Sequence, residues 1–199
     1  MSIKPASSDH HNEASQLIFQ SGPAAFEHVF NQGHGPNVVE FLSRCFKSKH
    51  TMFSHKYHLI WEENGKAIGT LGLFSKSLHD GLLFKNAASI YKHYGFRGIV
   101  KGLQFERKLV KPPKKDSLYI GHIAVHSKHR GKGIARKLIL AAEQQAKSKG
   151  IQHLDLDVAE NNLNALGLYE LLGFKQIKLN LSYHANLDNH IYMRKTLRD

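Results

Sequence analysis

A chain of 199 residues, 41% hydrophobic and 22% charged, has the length of one ordinary domain and is too apolar to be disordered. No stretch approaches the roughly 20 unbroken apolar residues of a membrane span. Met1 to Ser15 lacks the apolar core of a secretory signal, so no membrane association and a cytoplasmic location are expected. The formal charge of +12 gives a surface that attracts polyanions, and the single cysteine, Cys45, excludes an internal disulfide.

In chain order, residues 1–14 read as a flexible tail, and 15–199 as a single domain. Gln16 to Gln20 suggests a short strand through Leu17-Ile18-Phe19. Pro23 suits a first helical position, and Phe26, Val29 and Phe30 follow at helical spacing. Gly33-His34-Gly35 is expected to end that helix, and a second to open near Pro36. Two strands, Lys56 to Glu62 and Lys66 to Phe74, flank Asn64-Gly65, a type I′ hairpin signal.

Residues 75–116 hold ten Lys/Arg against three Asp/Glu. Two helices, Leu82 to Tyr94 and Phe96 to Leu109, are expected there, broken at Gly95 and ended by Pro112-Pro113. The basic excess fits either a solvated face or a docking surface for an acidic partner. After it come a strand (Leu118 to Val125), an amphipathic helix (Gly131 to Lys149), a strand (His153 to Val158) and a short helix (Asn162 to Leu172). A terminal hairpin, Phe174 to Tyr183 and His190 to Thr196, closes the chain. Strand-helix-strand order implies a parallel strand pair with a right-handed crossover.

The chemistry concentrates where the strand at 118–125 turns into the following helix. At a helix start the first N–H groups lack partners and carry the positive end of the dipole. Gly131 and Gly133 allow close approach of the backbone, and Lys128, Arg130 and Lys132 add charge. This describes a pyrophosphate cradle, though a tight structural turn would look the same. The spacing is neither a Walker loop nor a complete dinucleotide fingerprint.

Ile123-Ala124-Val125 followed by Arg130-Gly131-Lys132-Gly133-Ile134-Ala135 resembles the acetyl-CoA motif of GNAT-superfamily N-acetyltransferases, Q/R-x-x-G-x-G/A. Lys128 stands at its first position, keeping the charge without the planar donor group. About thirty residues on, Asn162 to Phe174 resembles the family's N-x-x-A-x-x-L-Y-x-x-x-G-F signature. The resemblance implies a mixed α+β (α/β) fold. It has a GNAT-like central mixed β-sheet with a splayed parallel strand pair, flanked by helices. The helical segment 75–116 is inserted between the third and fourth strands.

It also implies acetyl-CoA as co-substrate and direct acetyl transfer to a primary amine of a small molecule or protein. The pantetheine arm would lie between the splayed strands, on backbone groups of Ile123, Ala124 and Val125. Amides from Lys128 through His129, Arg130, Gly131, Lys132, Gly133, Ile134 and Ala135 would hold the pyrophosphate. Asn162 would touch the arm, and Tyr169 would sit near the thioester sulfur as an acid. Tyr169 in Leu168-Tyr169-Glu170-Leu171 also fits a core aromatic.

An amine acceptor is mostly protonated at neutral pH, so a base must take its proton. Asp157 is the first choice, at the strand end where ribosomal-protein alanine N-acetyltransferases carry a Glu. Asp155 and Asp157 share a strand face that could equally be solvent-facing. His122 is second, with a titration range suited to the task. Glu160 and Glu63 are more distant choices.

Cys45, between aromatics, reads as a buried small residue. The histidines show no metal-ligand spacing, so no metal is expected. A non-catalytic acyl-CoA sensor is the alternative to the enzyme. Nucleic acid binding by 75–116 is disfavoured for want of a clear stacking pattern. A homodimer is compatible with everything above.

Overall fold

The computed structural model describes residues 2–31, 33 and 36–197. Seven strands form one mixed sheet in the order β1-β2-β3-β4-β5-β7-β6. They are β1 (Ser2–Pro5), β2 (His58–Glu63), β3 (Lys66–Ser75), β4 (Ser117–Val125), β5 (His153–Ala159), β6 (Lys175–Asn180) and β7 (His190–Thr196). Among the described residues, only β4 and β5 pair in parallel. The helices are α1 (His11–Gln20), α2 (Pro23–Phe30), α3 (Val38–Lys47), α4 (Lys76–Lys108), α5 (Ile134–Ser148) and α6 (Leu163–Leu171).

The N-terminal expectations need correction. Instead of a loose tail, Ser2 to Pro5 adds an antiparallel edge strand on β2, from Ser2 opposite Glu62 to Pro5 opposite Leu59. Leu17-Ile18-Phe19 is helical, within α1. Ala14, Leu17 and Ile18 recur at i, i+3 and i+4 and are buried, so burying one helical face outweighs the strand preference of a short apolar triplet.

α2 starts at Pro23 as expected and ends at Phe30. Of the expected stop Gly33-His34-Gly35, only Gly33 lies among the described residues. α5 begins at Ile134 rather than Gly131, because Gly131 and Gly133 take left-handed φ of 76° and 74°. The hairpin at Asn64-Gly65 and the terminal β6–β7 pair form as read.

Adjacent residues of β2 show the layering. Ile60 points to one face, where Leu17 of α1 covers it. Trp61 points to the other, beneath Lys137 of α5, whose Nζ lies 4.9 Å from the indole centroid. A second core lies off the sheet, where Phe30, Phe41 and Phe46 of α2 and α3 meet Ile90 and Tyr94 of α4. Cys45 is buried in it, 2% exposed, and burial pushes its thiol pKa up.

α4 is two helical arms joined at Gly95, whose φ of 63° and ψ of −165° are not helical. His79 on the first arm bonds Glu106 on the second. In a straight helix these residues would stand about 40 Å apart. The arms therefore fold back on each other as an antiparallel pair. Tyr94 anchors the bend through its hydroxyl, which donates to the Pro36 carbonyl at 3.0 Å.

Candidate active site

The site begins as a defect in the sheet. β4 and β5 are in register from Ser117 opposite His153 to Tyr119 opposite Asp155, and the pairing stops there. Both strands continue, to Val125 and to Ala159. β4 stays bonded to β3, and β5 to β7. Only the parallel seam opens, leaving β4 edge groups beyond Tyr119 without a β5 partner. A bulge accompanies the opening: His122 and Ile123 together oppose Leu71, and His122 takes a φ of 52°.

The open seam leads into a cleft of about 800 Å³. Its wall includes Tyr119, His122, Ile123, Asp157, Asn162 and Tyr169. All three residues expected to do catalysis thus share one cavity.

Asp155 is covered by β7, and Asp157 is half-buried, facing the cleft beneath the chain leaving α4. Asp155 is 1% exposed and takes two 2.7 Å bonds from Arg194. Those bonds, against its burial, hold its carboxyl below the usual range. Asp157 makes no salt bridge among the described residues, although the Lys111 charge acts on it. Its Oδ2 accepts from the Lys111 amide at 2.9 Å and the Tyr119 hydroxyl at 3.1 Å. Its Oδ1 is buried with no partner. Burial is the largest influence and lifts the carboxyl pKa to about 7, the two bonds opposing it.

His122 lies between Phe26, Phe53 and Phe74 and stacks on His58 at 5.3 Å between centroids. Burial brings His58 down to about 4 and His122 well below its usual range, so both are neutral. The Ser54 carbonyl accepts from His58 Nδ1 at 2.7 Å, so neutral His58 carries its proton there and Nε2 can only accept. His122 Nδ1, 3.1 Å away, must then be the donor, leaving its Nε2 as a free lone pair.

Tyr169 is 6% exposed and packs on Phe174 at 5.8 Å, yet it also lines the cleft. Burial raises its phenol pKa, so the proton stays on at neutral pH. Tyr169 is therefore a packed aromatic that also faces the cleft. Asn162 caps α6, accepting from the Ala165 amide at 3.3 Å, and also faces the cleft.

Below the seam the turn from β4 to α5 presents a concentrated positive end. The first helical bond of α5 is from Lys137 N to Gly133 O, so the Ile134, Ala135 and Arg136 amides have no partner within the helix. An added Cβ at Gly131 or Gly133 would meet nothing within 4 Å, so open space lies above both. Lys128, Arg130 and Lys132 are exposed there, and no acidic residue lies in the first turn of α5. His129 fastens the turn to Glu63 at 3.2 Å, and Arg130 Nε donates to the Val125 carbonyl at 3.1 Å. An anionic, chain-like ligand fits: its charge at the turn, its arm along the seam.

Glu63 is engaged by His129, and Glu160 by Asn189 at 2.8 Å, so both carboxylates are committed elsewhere. Tyr119, the Lys111 amide and His58 were not singled out from sequence. Each meets its partner across 38 or more residues, which no local pattern displays. Among the described residues there is no group of three or more His, Cys, Asp or Glu able to hold a metal ion. No helix among them is long and apolar enough to cross a membrane.

Comparison with known proteins gives this arrangement a family. A crystallised acetyltransferase superposes with a TM-score of 0.74 at 18% identity over the full length of both chains. An N-acetyltransferase from Staphylococcus aureus Mu50 superposes at 0.71 and 20% identity, covering 98% of this chain and 100% of that one. These likenesses establish the fold. In sequence, human N-acetyltransferase 8B is 38% identical over 63 residues, 32% of this chain and 28% of that protein. N-alpha-acetyltransferase 30 of Saccharomyces cerevisiae is 38% identical over 68 residues, 34% of this chain and 39% of that protein. The matches thus span well under half of these relatives' lengths. The pattern of the acetyltransferase (GNAT) family itself matches residues 25–174, most of the chain and both motifs. With that match, the chain belongs to the acetyltransferase (GNAT) family, whose chemistry is acyl transfer from acetyl-CoA.

Proposed function

We propose that this protein is an acetyl-CoA-dependent N-acetyltransferase that moves the acetyl group directly to a primary amine. The observation that carries the reading is the opened β4–β5 seam, with the unpartnered carboxyl oxygen of Asp157 on its wall. Acetyl-CoA supplies an activated acetyl carbon with a thiol as leaving group. The exposed glycine turn and the free amides from Ile134 onward would hold its phosphates, aided by Lys128, Arg130 and Lys132. Backbone groups of Ile123, Ala124 and Val125 would line its arm, with Asn162 on the facing side.

Asp157, with a pKa near 7, is a base matched to neutral pH. It takes the proton that the amine gives up as its nitrogen bonds the acetyl carbon. Tyr119 and the Lys111 amide orient the carboxyl through Oδ2, leaving Oδ1 without a hydrogen-bond partner. Tyr169 keeps its phenol proton and would give it to the departing sulfur. One N–C bond forms and one C–S bond breaks, and no covalent enzyme intermediate is needed. His122 is neutral with a free Nε2, which suits it to hold the incoming amine as a hydrogen-bond acceptor.

The test joins binding to turnover. Acetyl-CoA should raise the melting temperature of the wild type and release free thiol when amines are added. Gly131→Glu puts a side chain on a left-handed residue and a negative charge in the phosphate site, and should abolish the melting shift. No shift in the wild type would sink the donor assignment. A shift without thiol release from any amine would favour a non-catalytic sensor.

A further inference from the structure

We infer that the acceptor is a compact monoamine carrying an aromatic or branched aliphatic body, not a polyamine, an aminoglycoside or a lysine in a basic peptide. This rests on the acetyltransferase reading above and adds the substrate class. The acceptor side of the cleft is walled by hydrocarbon. α2 contributes Phe26 and Phe30, the chain before β2 contributes Phe53, and β3 contributes Phe74. The two arms of α4 roof it with Ile90 and Ile99.

Acidic groups that could receive extra ammonium groups are few. Glu106 is held by His79, whose protonated form it favours. Asp188 also lines the cleft near His190, whose imidazole burial holds below its usual range while the Asp188 charge opposes that shift. Asp157 is needed for the reacting nitrogen. Each further ammonium on an acceptor would lose its water in the cleft with only Asp188 left to receive it, a cost that an apolar body avoids. The net charge of +12 also repels polycations at a distance.

Size argues for a compact body. The 800 Å³ must hold the acetyl end of the donor as well as the acceptor. The side between α2 and the segment joining β6 to β7 is closed by contacts. The Tyr183 hydroxyl lies 3.4 Å from His28 Nε2, the His28 and His184 rings are 4.4 Å apart, and Lys108 Nζ sits 5.0 Å from the Tyr183 ring centroid. α4 is tied to the same place, Lys101 Nζ donating to the His28 carbonyl at 2.8 Å.

The experiment uses the full chain with acetyl-CoA and reads thiol release against 2-phenylethylamine, 3-methylbutylamine, spermidine, kanamycin and a hexapeptide beginning with Leu. One methylene in an apolar pocket discriminates about tenfold or more. The arylalkylamine should therefore exceed spermidine at least about thirtyfold in kcat/KM. Equal or better turnover of spermidine or kanamycin overturns the inference while leaving the acetyltransferase reading intact. The peptide outperforming both small amines overturns the compact-acceptor assignment. A melting shift with acetyl-CoA but no turnover of either hydrophobic amine also overturns it. A missing melting shift fails the underlying reading instead.

Leu83→Glu is the companion variant. Leu83 lines the cleft at 37% exposure, so a carboxylate is tolerated there by the fold. It should cut the preference for 2-phenylethylamine over spermidine at least tenfold and leave the acetyl-CoA melting shift in place. An unchanged ratio would mean that this wall does not meet the acceptor.

Discussion

Asp155 and Asp157 stand two positions apart on the same face of β5, and their neighbours separate them. Asp155 sits in the fork of the Arg194 guanidinium and stays ionised. Asp157 is half-buried with a phenol and an amide for company, and loss of water raises its carboxyl to about 7. If it is the base, kcat/KM should climb with pH through about 7, and Asp157→Asn should lower it about a hundredfold or more and flatten the climb. Stability carries the opposite sign. A carboxyl raised in the folded state contributes most below its unfolded value, 3.8, and that contribution is lost as pH rises through about 7. Asp157→Asn should therefore melt higher than the wild type at pH 8, with the gap shrinking toward pH 4. Tyr169 offers a cleaner separation of roles. Its ring packs on Phe174, and its hydroxyl makes no hydrogen bond among the described residues. Tyr169→Phe should keep the fold and acetyl-CoA affinity within about twofold while kcat falls at least tenfold; unchanged kcat would return Tyr169 to a packing role.

Among the elements, α4 departs furthest from a plain helix. Its break at Gly95 was legible, because a glycine between two helical patterns is a probable interruption. The folding back of the arms was not legible, since it depends on His79 meeting Glu106 and on Tyr94 reaching Pro36. Gly95 occupies a region of φ/ψ that a side chain strongly disfavours. Gly95→Ala should cost about 1–3 kcal/mol, lower the melting temperature by several degrees, and speed amide exchange across 76–108. α1 teaches the converse. Leu17-Ile18-Phe19 looks like strand in isolation, and only the buried faces of α3 and the sheet make it helical.

At the scale of the whole molecule, charge and cavity act together. The net charge of +12 favours an anionic donor and disfavours cationic acceptors. The cations at the proposed phosphate site are exposed, so salt screens them over about 10 Å at 0.1 M. Acetyl-CoA affinity, measured by titration calorimetry, should weaken severalfold between 50 mM and 500 mM salt. The affinity of a desphospho analogue should change less. A flat response in both would mean that the turn from β4 to α5 does not hold the phosphates.

The sequence by itself determined the donor half that we propose. Its glycines, its cations and the helix start are contiguous between Val125 and Ala135, and the second signature is contiguous between Asn162 and Phe174. Contiguous residues build a turn by their own backbone preferences, so their role reads directly from order and spacing. Tertiary structure alone decided the rest. Asp157 became a group titrating near 7 because packing around β5 strips water from its carboxyl, against the bonds it accepts from Tyr119 and the Lys111 amide. His122 acquired a defined tautomer from His58, 64 residues away. The apolar wall that we assign to the acceptor is assembled from α2, β3 and both arms of α4. Desolvation and proton placement depend on what packs against a group, and periodicity along the chain carries no record of that.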